Sequence, residues 1–216
     1  MTTAPVRPVL ERPAALRRAR LLNRITIGWN VVEAAIALSA GVAAGSLGLL
    51  AFGLDSVVEV SGASVLAWRL AREERTGCTQ PDDRRATRAL AVCFGVLAAW
   101  VAVNAVVDLA GHHEPDVSRV GIAITALSLV TMPVLARAKR RLAPVLGSRA
   151  QEREAGQTRL CAILSGVVLG GLLLNAALGW WWADPAAALV VAGLAAVEGV
   201  RSWRAESLAD TCCTPF

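Results

Sequence analysis

Apolar blocks of about 20 residues alternate along this chain with short charged stretches, and a block of that length is what crosses the hydrocarbon core of a bilayer. Six such blocks lie near residues 22–43, 48–70, 87–110, 118–137, 158–179 and 185–203. Spans of that size use roughly 120–130 residues in total. The rest of the 216-residue chain suffices for an arm, short loops and a tail. Composition agrees, with 55% hydrophobic and 18% charged residues, against about 45–50% and about 25% in soluble domains. A soluble globular enzyme, a disordered chain and a secreted disulfide scaffold are excluded. No appended soluble domain is expected. The expected fold is an all-α polytopic membrane protein with six transmembrane helices. Residues 1–20 form an N-terminal arm, 21–205 the membrane domain and 206–216 a short Cys-containing tail.

Charge sets the expected orientation. Arginines cluster before the first span, around the second and fourth connections and after the sixth span. Of the 22 basic residues only Arg119 falls on the opposite side. The positive-inside rule puts the basic side, and with it both termini, in the cytoplasm. The net charge of +5 is then a topological signature, and no nucleic-acid partner is expected. Residues 1–20 hold three prolines and five arginines without an apolar segment, so no cleavable signal peptide is expected. The five cysteines, an odd number without framework spacing, read as reduced thiols. A multi-pass protein of a cell membrane, of the bacterial inner-membrane kind, is the expected setting. The tryptophans at 180–182 suit a headgroup boundary.

An ionisable residue at membrane depth costs about 2.5–3.5 kcal/mol and marks a functional candidate. Asp55 and Glu59, at i and i+4, share one helix face about one turn apart. Nothing basic lies near them in their span. Two carboxylates in an apolar medium do not both stay ionised unless a cation joins them, so the pair suggests exchange of protons for a cation. Cys161 and Ser165 repeat the spacing in the fifth span, where a thiolate is a soft metal ligand and small residues also serve packing. Asn30, Glu33 and Asp108 are candidates for a proton pathway or for supporting ligands. Glu198 is read as paired with Arg201. His112 and His113 in an external loop, and Cys212 and Cys213 in the tail, are candidates for peripheral metal capture. The segments Gly41–Gly48 and Gly166–Gly171 are expected to let helices approach closely.

The stretch GSLGLLAFGLDSVVE, Gly45 to Glu59, resembles the second helix of the cation diffusion facilitator family of proton-coupled divalent-metal transporters. In that family a His or Asp is followed four residues later by an Asp, and Asp55 and Glu59 stand there. Asn30 and Glu33, in WNVVEAAIA, resemble the polar pattern of the family's first helix. The resemblance covers roughly residues 21–205. It implies a second ligand pair in the fifth helix, where Cys161 and Ser165 stand in place of His or Asp and Asp. The implied metal site is Asp55, Glu59, Cys161 and Ser165, near the midplane. Cargo would be a divalent ion such as zinc, cobalt, cadmium, nickel or iron(II), moved outward against protons by alternating access. No permanent cofactor and no enzymatic activity are implied. The family's cytoplasmic metal-sensing domain is absent from the expected organisation, and a homodimer is among the expected assemblies. The competing reading is a non-transporting membrane subunit, metal-sensing or partner-binding, with a degenerate site.

Overall fold

A computed structural model describes residues 12–76, 83–146 and 149–204. They form six α-helices: α1 (Arg12–Ala44), α2 (Leu47–Thr76), α3 (Asp83–Gly111), α4 (Arg119–Leu146), α5 (Arg149–Leu178) and α6 (Ala183–Arg204). All six are long and apolar enough to cross a membrane, and the chain is a multi-pass membrane protein. The outward surface fits that solvent. Val96, Val103 and Val106 of α3, and Val130 and Val134 of α4, are exposed, while Glu33, Glu59 and Lys139 are buried. Cys93 and Cys161 are free thiols.

Several helices outrun their apolar blocks at the basic end. α1 begins at Arg12 instead of near 22, α2 runs on to Thr76, α4 runs on to Leu146 and α5 begins at Arg149. The added segments are rich in Arg, Ala, Leu and Glu, which are strong helix formers. Arg17, Arg18, Arg140 and Arg153 of these segments are exposed, Lys139 and Glu154 turn inward, and the backbone keeps its hydrogen bonds throughout. Apolar patterning marks the hydrocarbon crossing and not the ends of the helix.

The closest pairings are α1 with α2, α4 with α5, and α3 with α6. α1 also packs on α4, and α2 on α5, so these four helices enclose a common interior. The α3–α6 pair lies against α2 and α5. In lipid, helix association depends on close contact more than on hydrophobic burial. A Cβ on Gly171 of α5 would sit 2.9 Å from the carbonyl oxygen of Ala183, so the α5–α6 approach requires glycine there. The expectation of close approach thus holds at Gly171. Nothing lies within 4 Å of such an atom on Gly170.

At the end opposite the arginines, α2 is capped from another helix. Ser46 is its N-cap, its hydroxyl accepting from Leu49 N at 3.2 Å. The same hydroxyl donates to Asp184 Oδ1 at 2.7 Å, and Gly48 N donates to Asp184 Oδ2 at 3.1 Å. Asp184 therefore lies in the first turn of α6 yet sits at the positive end of the α2 dipole. A Cβ on Gly48 would come within 2.8 Å of Asp184 Oδ1, so glycine admits the carboxylate. The sequence reads Asp184-Pro185 as a turn that opens α6, and misses this link. Nearby, Asn175 Nδ2 of α5 donates to Pro115 O at 2.9 Å and ties down the loop between α3 and α4. Asp184→Ala leaves two buried donors without an acceptor and should cost about 1–3 kcal/mol. The melting temperature of the detergent-solubilised variant checks this, with Asp184→Asn expected to fall between it and the parent.

Candidate cation site

The polar residues of α2 meet partners from three other helices. Asp55, Ser56 and Glu59 are all buried. Ser56 Oγ donates to Glu33 Oε2 of α1 at 2.9 Å, and Trp29 Nε1 reaches Glu33 Oε1 at 3.3 Å. The Cys161 thiol of α5 lies 4.0 Å from Glu33 Oε2 and also faces Glu59. Ser128 of α4 is fully buried beside Glu33. Glu33, Glu59 and Cys161 thus share one interior space, with Asp55 one turn along α2.

A basic group reaches this space from α4. Lys139 is 0% exposed. Its Nζ lies 2.9 Å from Glu154 Oε1 and 3.0 Å from Thr158 Oγ1. Thr158 Oγ1 in turn lies 2.8 Å from Glu59 Oε1 and 3.0 Å from the Glu154 carbonyl oxygen. The hydroxyl accepts from the ammonium, which leaves its own proton for one of those oxygens, and the shorter contact is to Glu59. A donor chain therefore runs from Lys139 through Thr158 to Glu59. The sequence reading finds no basic residue near the α2 carboxylates within their span, and the structure adds one from another helix. That residue is Lys139 of α4, one hydroxyl away from Glu59.

The remaining candidates divide clearly. Ser165 is buried, but its hydroxyl donates to Cys161 O at 2.8 Å in its own helix. Asn30 Nδ2 likewise donates to Thr26 O at 3.1 Å, which leaves its Oδ1 buried and unpartnered. Glu59 Oε2 and Ser128 Oγ are also buried without a hydrogen-bond partner. Asp108 lies far along α3, where its carbonyl accepts from His113 N at 3.0 Å, on the Asp184 side of the bundle. His112, at φ 51°, sets its ring 5.1 Å from that of Trp181, while His113 packs over Gly45. The two imidazoles thus have separate neighbours. Glu198 pairs with Arg201 at 3.6 Å, as expected. Cys212 and Cys213 lie outside the described residues. Among the described residues, no three His, Cys, Asp or Glu side chains converge as a ready-made coordination shell.

Sequence reasoning passed over Lys139, Glu154 and Thr158, though two signals were present. Glu154, Thr158, Cys161 and Ser165 follow i, i+4, i+7 and i+11, one continuous stripe on α5. Lys139 is also the chain's sole lysine, the other basic residues all being arginine. A compact ammonium with three rotatable donors suits an enclosed position better than a guanidinium fork. No family model matches the chain, and no curated protein matches it.

Breaking a buried ion pair from one side leaves an uncompensated charge and costs about 3–5 kcal/mol. Lys139→Met should show a loss of that size in reversible unfolding in mixed micelles. Adding Glu154→Leu should recover most of it, giving a strong coupling in the double-mutant cycle. Equal and additive losses would show that the pair carries no coupling.

Proposed function

We propose that this protein is a membrane carrier that exchanges a divalent transition-metal ion for protons, in the manner of the cation diffusion facilitators. One observation carries the reading. The enclosed interior holds the acids Glu33, Asp55, Glu59 and Glu154 and the thiol of Cys161, against the single ammonium of Lys139. That many acids at membrane depth cannot be balanced by one lysine, so protons or a cation must complete the balance. Glu59, with one oxygen unpartnered, is the central ligand. Cys161 and Glu33 complete the near side, and Asp55 joins along α2. The resemblance assigns Asp55, Glu59, Cys161 and Ser165 as ligands. The contacts favour Glu33 over Ser165, whose hydroxyl is directed to its own helix.

Under the positive-inside rule the basic end faces the cytoplasm. Cargo arriving there meets Glu59 beside Thr158 and Lys139. Displaced protons leave the carboxylates as the ion binds, and protons from the far side restore them as it departs. Lys139 keeps Glu59 compensated through Thr158 when no cargo is present. Alternating access by rocking of helix groups about a midplane site supplies the route. A thiol in the site favours cadmium and zinc over harder ions. The direction, cytoplasm to exterior, comes from the family resemblance.

The second reading, a metal-sensing or partner-binding subunit without transport, is favoured by Lys139 and Ser165. A tethered ammonium beside Glu59 and a hydroxyl turned away are what a degenerate site would also show. Flux separates the two. In proteoliposomes with an imposed proton gradient, uptake of zinc, cobalt, nickel, cadmium and iron(II) is followed for the parent, Glu59→Gln and Cys161→Ala. The carrier requires loss of at least about tenfold in Glu59→Gln, and a cadmium-to-cobalt ratio lowered by about tenfold in Cys161→Ala. Metal binding without flux in the parent would establish the subunit reading. Neither binding nor flux would overturn the carrier and leave the partner-binding form of the subunit reading.

A further inference from the structure

A second feature of the bundle has no part in cation exchange. On the outer seam between α4 and α5 runs a groove of about 580 Å³. Arg137, Arg140 and Arg159 line its basic end, and Leu129, Pro133, Ile163 and Gly166 continue it toward the middle of the bundle. Two residues mark its walls. Gly166 has no side chain, and a Cβ there would meet only Leu129 Cδ1, at 3.5 Å. Pro133 lies inside α4 and cannot donate to the carbonyl one turn back, that of Leu129, which lies on the groove wall. From Leu129 to Arg140 the α4 wall extends about 16 Å at the α-helical rise, a length that accepts much of an acyl chain.

The charge at its mouth is uncompensated. Arg137, Arg140 and Arg159 are exposed, and among the described residues none makes an ion pair or hydrogen bond. Among the described residues, no acidic one lines this groove. The neighbouring cleft between α5 and α6 shares Arg159 and Ile163 with this groove but differs on its far side, where Glu152 and Glu198 stand among Arg153, Arg201 and Arg204. The α4–α5 groove is therefore the stronger anion site of the two. Both of its helices cross the membrane, so it opens toward lipid. Guanidinium forks match phosphate oxygens in pairs, and basic pockets between transmembrane helices at the cytoplasmic side hold anionic headgroups.

We propose that the α4–α5 groove binds an anionic phospholipid, with its phosphate on Arg137, Arg140 and Arg159 and one acyl chain along Pro133, Ile163 and Gly166. The inference does not depend on the exchange reading, since none of these side chains belongs to the interior site.

The test uses the full chain in zwitterionic nanodiscs titrated with phosphatidylglycerol or cardiolipin, with bound lipid counted by native mass spectrometry. Arg137→Gln/Arg140→Gln/Arg159→Gln should lower anionic-lipid retention at least tenfold. Gly166→Leu, which fills the slot and keeps the arginines, should lower it as well. A control, Arg17→Gln/Arg18→Gln/Arg24→Gln, removes three exposed arginines of α1 at the same end and should stay within twofold of the parent. Soluble glycerol phosphate should not compete, because it lacks the chain. Equal losses in the control and groove variants would reduce the effect to general attraction and overturn the site. So would equal retention of phosphatidylcholine, or displacement by glycerol phosphate.

Discussion

A polar group inside a lipid-spanning bundle has no water to turn to, and every other feature of this structure follows from how that demand is met. Buried polar groups stand within an apolar core that includes Phe52, Phe94, Met132 and Leu164. Valines cover the exterior, and the interior holds Glu33, Glu59, Lys139 and Thr158. Each of these side chains has a partner on another helix, so the polar interior ties the bundle together. Ser56 links α2 to α1 through Glu33, Thr158 links α5 to α2 through Glu59, and Lys139 links α4 to α5 through Glu154. Such bonds within a membrane are each worth about 0.6–2 kcal/mol. Their larger effect is on register, because sliding one helix by a residue would strand several groups at once.

α2 bears most of this demand. It donates from Ser56 to Glu33 of α1 and accepts at Glu59 from Thr158 of α5, which places it between those two helices. Its first turn, with backbone N–H groups unpaired by construction, is closed by Asp184 from α6. The helix is thus held at one end by a carboxylate on its dipole and at mid-depth by hydroxyls and a thiol. Glycines at 48 and 171 give the small clearances these contacts need.

Much of this was legible in the sequence, and the gaps have physical causes. The six crossings show in hydropathy because a bilayer imposes one fixed length. Asp55, Glu59 and Glu33 stand out because a charge in an apolar run has no ordinary explanation. Lys139 did not stand out, because it sits among Arg137, Arg140 and Arg141, where a basic residue is what a membrane boundary supplies. Its rotation about α4, which separates it from those exposed neighbours, is a tertiary fact. Asp184 was hidden by its proline: Asp-Pro is a strong turn signal, and its partners Ser46 and Gly48 are far away in sequence. Helix ends were missed for a related reason, since hydropathy ends where water begins while helical hydrogen bonding does not.

The arrangement of the interior also bears on how a cation could be held and released. Cys161 stands 4.0 Å from Glu33 Oε2, and Asp55 lies a turn away from Glu59 along α2. No three metal-binding side chains of the described residues converge as they stand. Under the proposed exchange, closing a shell around an ion would require α5 to shift against α1 and α2. The residues that would move are those whose present partners are weakest: a thiol at long range, and carboxylate and amide oxygens without donors. The strongest contact, Lys139 with Glu154, joins α4 and α5 to each other and would travel with them. Thr158 with Glu59, at 2.8 Å, is the short contact that crosses from the α4–α5 pair to the α1–α2 pair, so any such displacement must carry or break that bond first.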